Sequence, residues 1–261
     1  MKFSVAVLGC VSLILPAVTC AFQPLVTDDT GTQGAGGNQL EAAYNRTVDK
    51  APGTRNVTHE LPLVFTRGIT DALDLYAGVP YQRIVPDAPG TTERGWGNIA
   101  FGAKWRFYED EASKLSFAFK PEVQLPLSEN REARGLGTGR ASYGAGLLMT
   151  KETGFGAVHA NLVVERVNYA DDALNAAERR TLYRASVAPV WDVAEDWKLA
   201  LDAGVITNPD PAARAYLGYV ELGAIYSPSK DLDLAFGIVR NFRDGNAATT
   251  QATVGVTWRF R

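Results

Sequence analysis

Apolar and polar residues alternate along most of this chain. From residue 98 the odd positions read Ile99, Phe101, Ala103, Trp105, Phe107 and the even ones Asn98, Ala100, Gly102, Lys104, Arg106. Leu115, Phe117, Phe119, Val123 and Leu125 likewise stand against Ser116, Ala118, Lys120, Glu122 and Gln124. Successive side chains of a strand point to opposite faces, so each segment presents one apolar face and one small or polar face. The alternation returns at 73–81, 142–149, 158–165, 198–205, 232–241 and 251–260, and less cleanly near 38–47, 57–66, 180–192 and 214–226. Together these segments predict twelve strands.

The connections alternate as well. Long polar ones fall near 48–56, 84–96, 126–138, 169–179, 207–213 and 243–247, short ones near 67–71, 108–113, 151–154, 193–196 and 227–230. With the N-terminus on one side, every long loop lies on the other. Outer-membrane barrels sort their connections this way, with short periplasmic turns and long external loops. A soluble lipocalin-like barrel or β-sandwich, the alternative, has no reason to. The expected fold class is therefore all-β: a transmembrane, antiparallel, up-and-down β-barrel of about twelve strands.

Charge decides which face meets lipid. Thirteen charged residues fall on the polar faces, five basic and eight acidic. On a barrel's outer face each costs roughly 2–4 kcal/mol at the bilayer midplane, so the apolar face must be outside and the polar face must line the lumen. Lys104, Arg106, Lys120, Glu122, Glu165, Arg184 and Glu221 are the expected pore-lining residues. Glu41, Asp233 and Arg259 fall at similar depth near the periplasmic end, on strands one, eleven and twelve, and are expected to form barrel-closure ion pairs. Inward glycines, among them Gly204, Gly223, Gly237 and Gly255, leave room. Eight-strand barrels fill with side chains and sixteen-strand ones hold open channels, so a narrow, polar, partly obstructed lumen is expected.

Composition narrows the picture further. The chain has 261 residues and a formal net charge of −3, which argues against a nucleic-acid partner. Met1–Ala21 reads as a secretory signal, with the apolar run Val5–Leu15 and small residues Thr19 and Ala21 before the cut. A lipoprotein cut before Cys20 is the alternative, to which Thr19 is a poor match. Residues 22–37 form a short N-terminal periplasmic segment, too small for a plug domain but able to tuck into the periplasmic mouth, and residues 38–261 form the barrel. Both cysteines, Cys10 and Cys20, lie in the signal. After it the longest uncharged stretch is the 14 residues Gly245–Trp258, rich in Thr, Asn and Gln, against about 20 apolar residues for a spanning helix.

Little in the chain suggests catalysis. His59 and His159 are the only histidines, and no serine lies near either in sequence, as a nucleophile–base pair would favour. Asp171-Asp172 reads as a solvated loop. Asp28-Asp29-Thr30-Gly31 lacks the spaced acids of a calcium loop and reads as a turn. No enzyme activity, metal or cofactor is expected.

Two segments carry a resemblance. Thr253, Gly255, Trp258 and Phe260 match the C-terminal β-signal of outer-membrane proteins, with Arg261 as a departure because most such chains end on the aromatic residue. The stretches Gln23–Gly34, Gln39-Leu40-Glu41 and Thr66–Leu75 resemble a family of bacterial outer-membrane transporters labelled "MetA pathway of phenol degradation". The resemblance implies an outer-membrane barrel in a Gram-negative bacterium, linked to uptake of small, often aromatic, solutes. Its implied partners are outer-membrane lipid and lipopolysaccharide, the barrel-assembly machinery and periplasmic chaperones. A passive channel for small molecules is the expected function. The alternative is a non-conducting structural or adhesion barrel acting through loops 84–96 and 126–138.

Overall fold

The computed structural model describes residues 23–51, 53–87, 92–242 and 248–261; the expected signal at 1–21 lies outside them. In chain order the strands are β1 (Asn38–Ala51), β2 (Thr54–Thr70), β3 (Leu73–Val85), β4 (Glu93–Trp96), β5 (Ala100–Asp110), β6 (Leu115–Gln124), β7 (Ser142–Thr153), β8 (Gly156–Arg166), β9 (Thr181–Ala194), β10 (Trp197–Thr207), β11 (Tyr216–Ser229), β12 (Leu232–Phe242) and β13 (Ala248–Phe260). Two short helices, α1 (Glu129–Ala133) and α2 (Asp172–Ala177), sit in long loops.

All pairings are antiparallel and, apart from β3 with β5, join sequence neighbours, and β13 returns to pair with β1 from Asn38↔Phe260 to Lys50↔Ala248. The sheet is thus closed into a barrel of twelve staves, which is what a membrane-spanning sheet requires. The thirteenth strand, β4, continues the stave of β5: β3 pairs with β5 over Leu73–Gly78 and with β4 over Tyr81–Ile84.

Two expectations are corrected. Residues 84–96, read as a loop, contain β4. Residues 48–56, read as a long loop, are largely strand: β1 and β2 run on as a paired hairpin, Val48↔Val57 to Ala51↔Thr54. Of the other expected connections, 243–247 lies outside the described residues and the rest keep the expected sorting. At the end carrying the start of β1 and the end of β13, here the periplasmic end, the turns are two to four residues long, while 125–141 and 167–180 are long at the other end.

The faces divide as their cost demands. Leu63, Phe65, Leu75, Phe101, Trp105, Leu162, Leu222, Ile238 and Val254 are exposed on the outside. Asp74, Lys104, Lys120, Asn161, Asp202 and Glu221 are buried on the inside. The lumen, however, is not uniformly polar. Leu182, Ala188, Val190, Ala200, Ile206, Leu217, Ile225 and Val239 are buried on the inner faces of β9–β12, so that wall is largely apolar around Arg184, Asp202 and Glu221, and the wall from β13 through β6 carries most of the charge.

Candidate functional site

The lumen is occupied by the chain's own N-terminal segment. Residues 23–37 enter at the periplasmic mouth and cross to the opposite wall as an extended strap. At the mouth, the Gly36 N–H donates to Gly68 O, the Gly68 N–H donates to Gly37 O, and the Ala35 N–H donates to Asp71 Oδ1. The Gln33 N–H reaches both carboxylate oxygens of Asp74 at 3.1 and 3.0 Å. Thr30 Oγ1 lies 2.6 Å from Ser116 Oγ, and the Thr30 N–H donates to Thr150 Oγ1.

Asp28 sits at mid-barrel. Lys104 Nζ donates to its Oδ1 at 3.0 Å and Lys120 Nζ to its Oδ2 at 2.6 Å. The Asn161 carboxamide, oriented by its network, donates to Asp28 O and accepts from the Asp28 N–H. One carboxylate therefore compensates two ammonium groups that face the lumen, and buried charge is tolerated only with such pairing. Lys120 also lies 5.1 Å from the centre of the Tyr76 ring, whose hydroxyl donates to Glu122.

Beyond Asp28 the strap docks on the far wall. The Thr27 N–H donates to Asp202 Oδ2 at 2.6 Å, and Thr27 Oγ1 lies 2.8 Å from Ser186 Oγ. The Val26 N–H donates to Glu221. Val26 packs against Ile206, Leu217, Tyr219 and Val239, and Leu25 joins Ala188, Val190 and Ala200. The apolar wall is thus where the apolar end of the strap lands. Pro24 lies against Gly223 and Gly237, which face each other across β11 and β12. A Cβ on Gly237 would meet Pro24 and Glu221 at 2.8 Å. These glycines make room for the strap, not for an open lumen.

Space remains on both sides of the strap. A cavity of about 290 Å³ lies between it and the β13–β5 wall, lined by Gln33, Glu41, Thr66, Asp74, Lys104 and Arg259. A smaller one, about 60 Å³, is lined by Lys120, Glu122, Glu165 and Arg184 over a floor of Gly144, Gly146, Leu148 and Leu182. Of the expected pore-lining residues, Lys120, Glu122, Glu165 and Arg184 therefore meet around one cavity. Lys104 borders the other, Glu221 holds the strap, and Arg106 lies nearer the periplasmic end, donating to Asp71 O.

The expected closure cluster forms in part. Arg259 and Asp233 pair at 2.6 Å. Glu41 does not join them: its Oε2 is buried without a hydrogen-bond partner, facing the larger cavity. Of the residues expected to form the C-terminal signal, Trp258 and Phe260 stack with ring centres 4.6 Å apart and Thr253 bonds to Asn45 of β1.

The long loops are tied to one another over the external end. Glu132 of α1 accepts N–H groups from Gly139, Ala170 and Asp171, and so joins the β6–β7 loop to the β8–β9 loop. Arg179 donates to the carbonyls of Asn208, Asp210, Pro211 and Ala213, extending the tie to the β10–β11 loop. Asn98 and Arg134 tie the β6–β7 loop to the loop that holds β4. Burial and the neighbouring Glu178 carboxylate, which accepts the Tyr169 hydroxyl, hold that phenol well above its ordinary pKa.

Comparisons with known proteins agree with this architecture. A family model described as "Putative MetA-pathway of phenol degradation" matches residues 26–260. The COG4313 outer membrane channel from Pseudomonas putida F1 superposes with a TM-score of 0.71 at 15% identity, covering 90% of this chain and all of that one. The KdgM porin in complex with disordered oligogalacturonate gives 0.53 at 11% identity, over 85% of this chain and 99% of that one. The transport unit of the autotransporter AIDA-I from Escherichia coli gives 0.53 at 11% identity, over 96% and 95%. No curated protein matches the chain in sequence.

Proposed function

The chain belongs to the family of outer-membrane barrels described by the phenol-degradation model, and from that premise we propose that it is an outer-membrane channel for small solutes, held shut by its own N-terminal strap. The carrying observation is Asp28 at mid-lumen between Lys104 and Lys120. The strap adds no strand to the sheet. Its contacts are hydrogen bonds, three ion pairs (Asp28 with Lys104 and Lys120, Asp29 with Lys104) and a modest apolar dock, so it can leave without disturbing the strand ladder. When it leaves, Lys104 and Lys120 face the open passage and lining charge together with diameter sets selectivity. The lumen then has a charged wall and an apolar wall, which suits small amphipathic molecules, aromatic compounds with polar substituents included. Export by the N-terminal signal, and insertion by the assembly machinery that reads Thr253, Gly255, Trp258 and Phe260, belong to the same reading.

The lack of cysteine after Cys20 gives a clean test. Thr27 and Ser186, whose hydroxyls are 2.8 Å apart, become a disulfide pair in T27C/S186C. In planar bilayers the oxidised variant should stay silent and the reduced one should open as the cysteine-free protein does. A second reading, a non-conducting barrel that binds through its external face, draws on the loops tied by Glu132 and Arg179. Persistent silence of a protein lacking residues 22–36 would favour it over the channel.

A further inference from the structure

The outer surface carries a basic patch that the channel reading does not use. At the external end of β1–β4 a single ladder row pairs Arg46 with His59, His59 with Arg83, and Arg83 with Arg94. All four side chains lie on the outward face, and the three arginines are exposed. Among the described residues none of the three guanidinium groups has an acidic partner or a side-chain hydrogen bond, and the Arg134 guanidinium lies beside them, donating to Arg94 O. Along β1 and β2, four residues further out, Lys50 pairs with Arg55, again exposed on the outside.

The row's height is set by its neighbours. One step toward the membrane on the same face, Leu61 pairs with Tyr81 and Tyr81 with Trp96, the two rings meeting edge-on at 5.2 Å. Tyr44 lies at the same level, its hydroxyl 2.6 Å from His59 Nδ1. Aromatic girdles mark the boundary of the hydrocarbon layer on barrels. The arginines therefore sit just beyond it, at headgroup depth. With strands about 4.8 Å apart, the row from Arg46 to Arg94 spans about 14 Å. The basic row is densest here: at the same end of β6, β7, β9 and β11 the outward residues are the exposed, uncharged Leu125, Tyr143, Tyr183 and Tyr216, while β8 and β12 carry single outward arginines, Arg166 and Arg240.

We propose that this row binds the phosphorylated headgroup of an outer-leaflet glycolipid. Guanidinium groups match phosphate oxygens in paired hydrogen bonds, and clustered basic side chains at headgroup depth select anionic lipids. The partner must be a lipid because the row lies at headgroup depth, directly above the girdle, where an acidic soluble protein would have to displace the leaflet to reach it.

The test uses the mature protein in detergent and native mass spectrometry with bisphosphorylated lipid A, phosphate-free lipid A and phosphatidylglycerol. Lipid A should remain bound to the wild type. The triple variant R46Q/R83Q/R94Q should bind it on the order of a hundredfold more weakly, and K114Q/K230Q/R261Q, which removes as many charges at the periplasmic end, should bind normally. Removing the phosphates should abolish the difference between wild type and triple variant. Heat-modifiable migration in a gel verifies each barrel's fold, and the single variants R46Q, R83Q and R94Q carry the comparison if the triple does not fold. Equal lipid A binding by wild type and the arginine variants would overturn the proposal, as would wild-type phosphatidylglycerol binding equal to that of lipid A.

Discussion

At the scale of single residues, one carboxylate decides whether the lumen is filled. Asp28 answers two lysines on adjacent staves, and removing one partner of a buried pair costs about 3–5 kcal/mol because the other charge stays behind. D28A should therefore raise the open fraction in planar bilayers strongly, by a hundredfold or more on that figure. K120E should do the same by adding repulsion. Gly237 offers an uncharged control. A valine there drives a side chain into Pro24, so G237V should also open the channel, whereas its barrel should still form because residue 237 faces inward on an intact ladder. A closed G237V protein would mean that Pro24 is not part of the latch. That residues 22–37 could tuck into the mouth was legible in the sequence; the seat of Asp28 was not. Asp28 reads as a turn residue, and its partners lie 76 and 92 residues away on strands whose closure only the fold supplies. A trace was present nonetheless, since inward glycines on neighbouring strands mark a groove as readily as they mark free space.

At the scale of elements, period-two alternation placed all twelve staves, because lipid outside and water or protein inside impose opposite demands on successive residues. It failed where that contrast fades. The β1–β2 hairpin at 48–57 rises past the headgroups, where either face can be polar. The short β4 holds only four residues, Glu93–Trp96, too few for an alternation to show. The loops had no period to read, yet their order comes from single side chains such as Glu132. Replacing it by alanine strands three loop N–H groups, each worth about 1–3 kcal/mol if left unmet. In E132A the segments 125–141 and 167–180 should be cut by protease at least about tenfold faster, while heat-modifiable gel migration of the barrel stays as in the wild type. Loss of the folded band instead would show that the cap and the staves form one cooperative unit.

At the scale of the whole molecule, the strap turns a barrel that would be open into one that is filled, and it takes acid with it when it leaves. The staves close through β1 and β13 without any help from residues 23–37, so a protein lacking 22–36 should assemble and conduct. Its ion preference follows from what remains inside. The lumen-facing set identified from the alternation has eight acidic and five basic members, a surplus of negative charge along the passage. Lys104 and Lys120, freed of Asp28, oppose that surplus at mid-depth. Over the full length the acids outnumber them, and a narrow pore averages charge across a screening distance of about 8–10 Å at ordinary salt. Under a potassium chloride gradient the reversal potential should therefore show cation preference, and K104Q/K120Q should shift it further the same way. Anion preference in the strap-free channel would place the two lysines at the controlling constriction, and the same double substitution would then reverse the sign. The two outcomes separate a passage governed by its whole wall from one governed by the seat that Asp28 vacates.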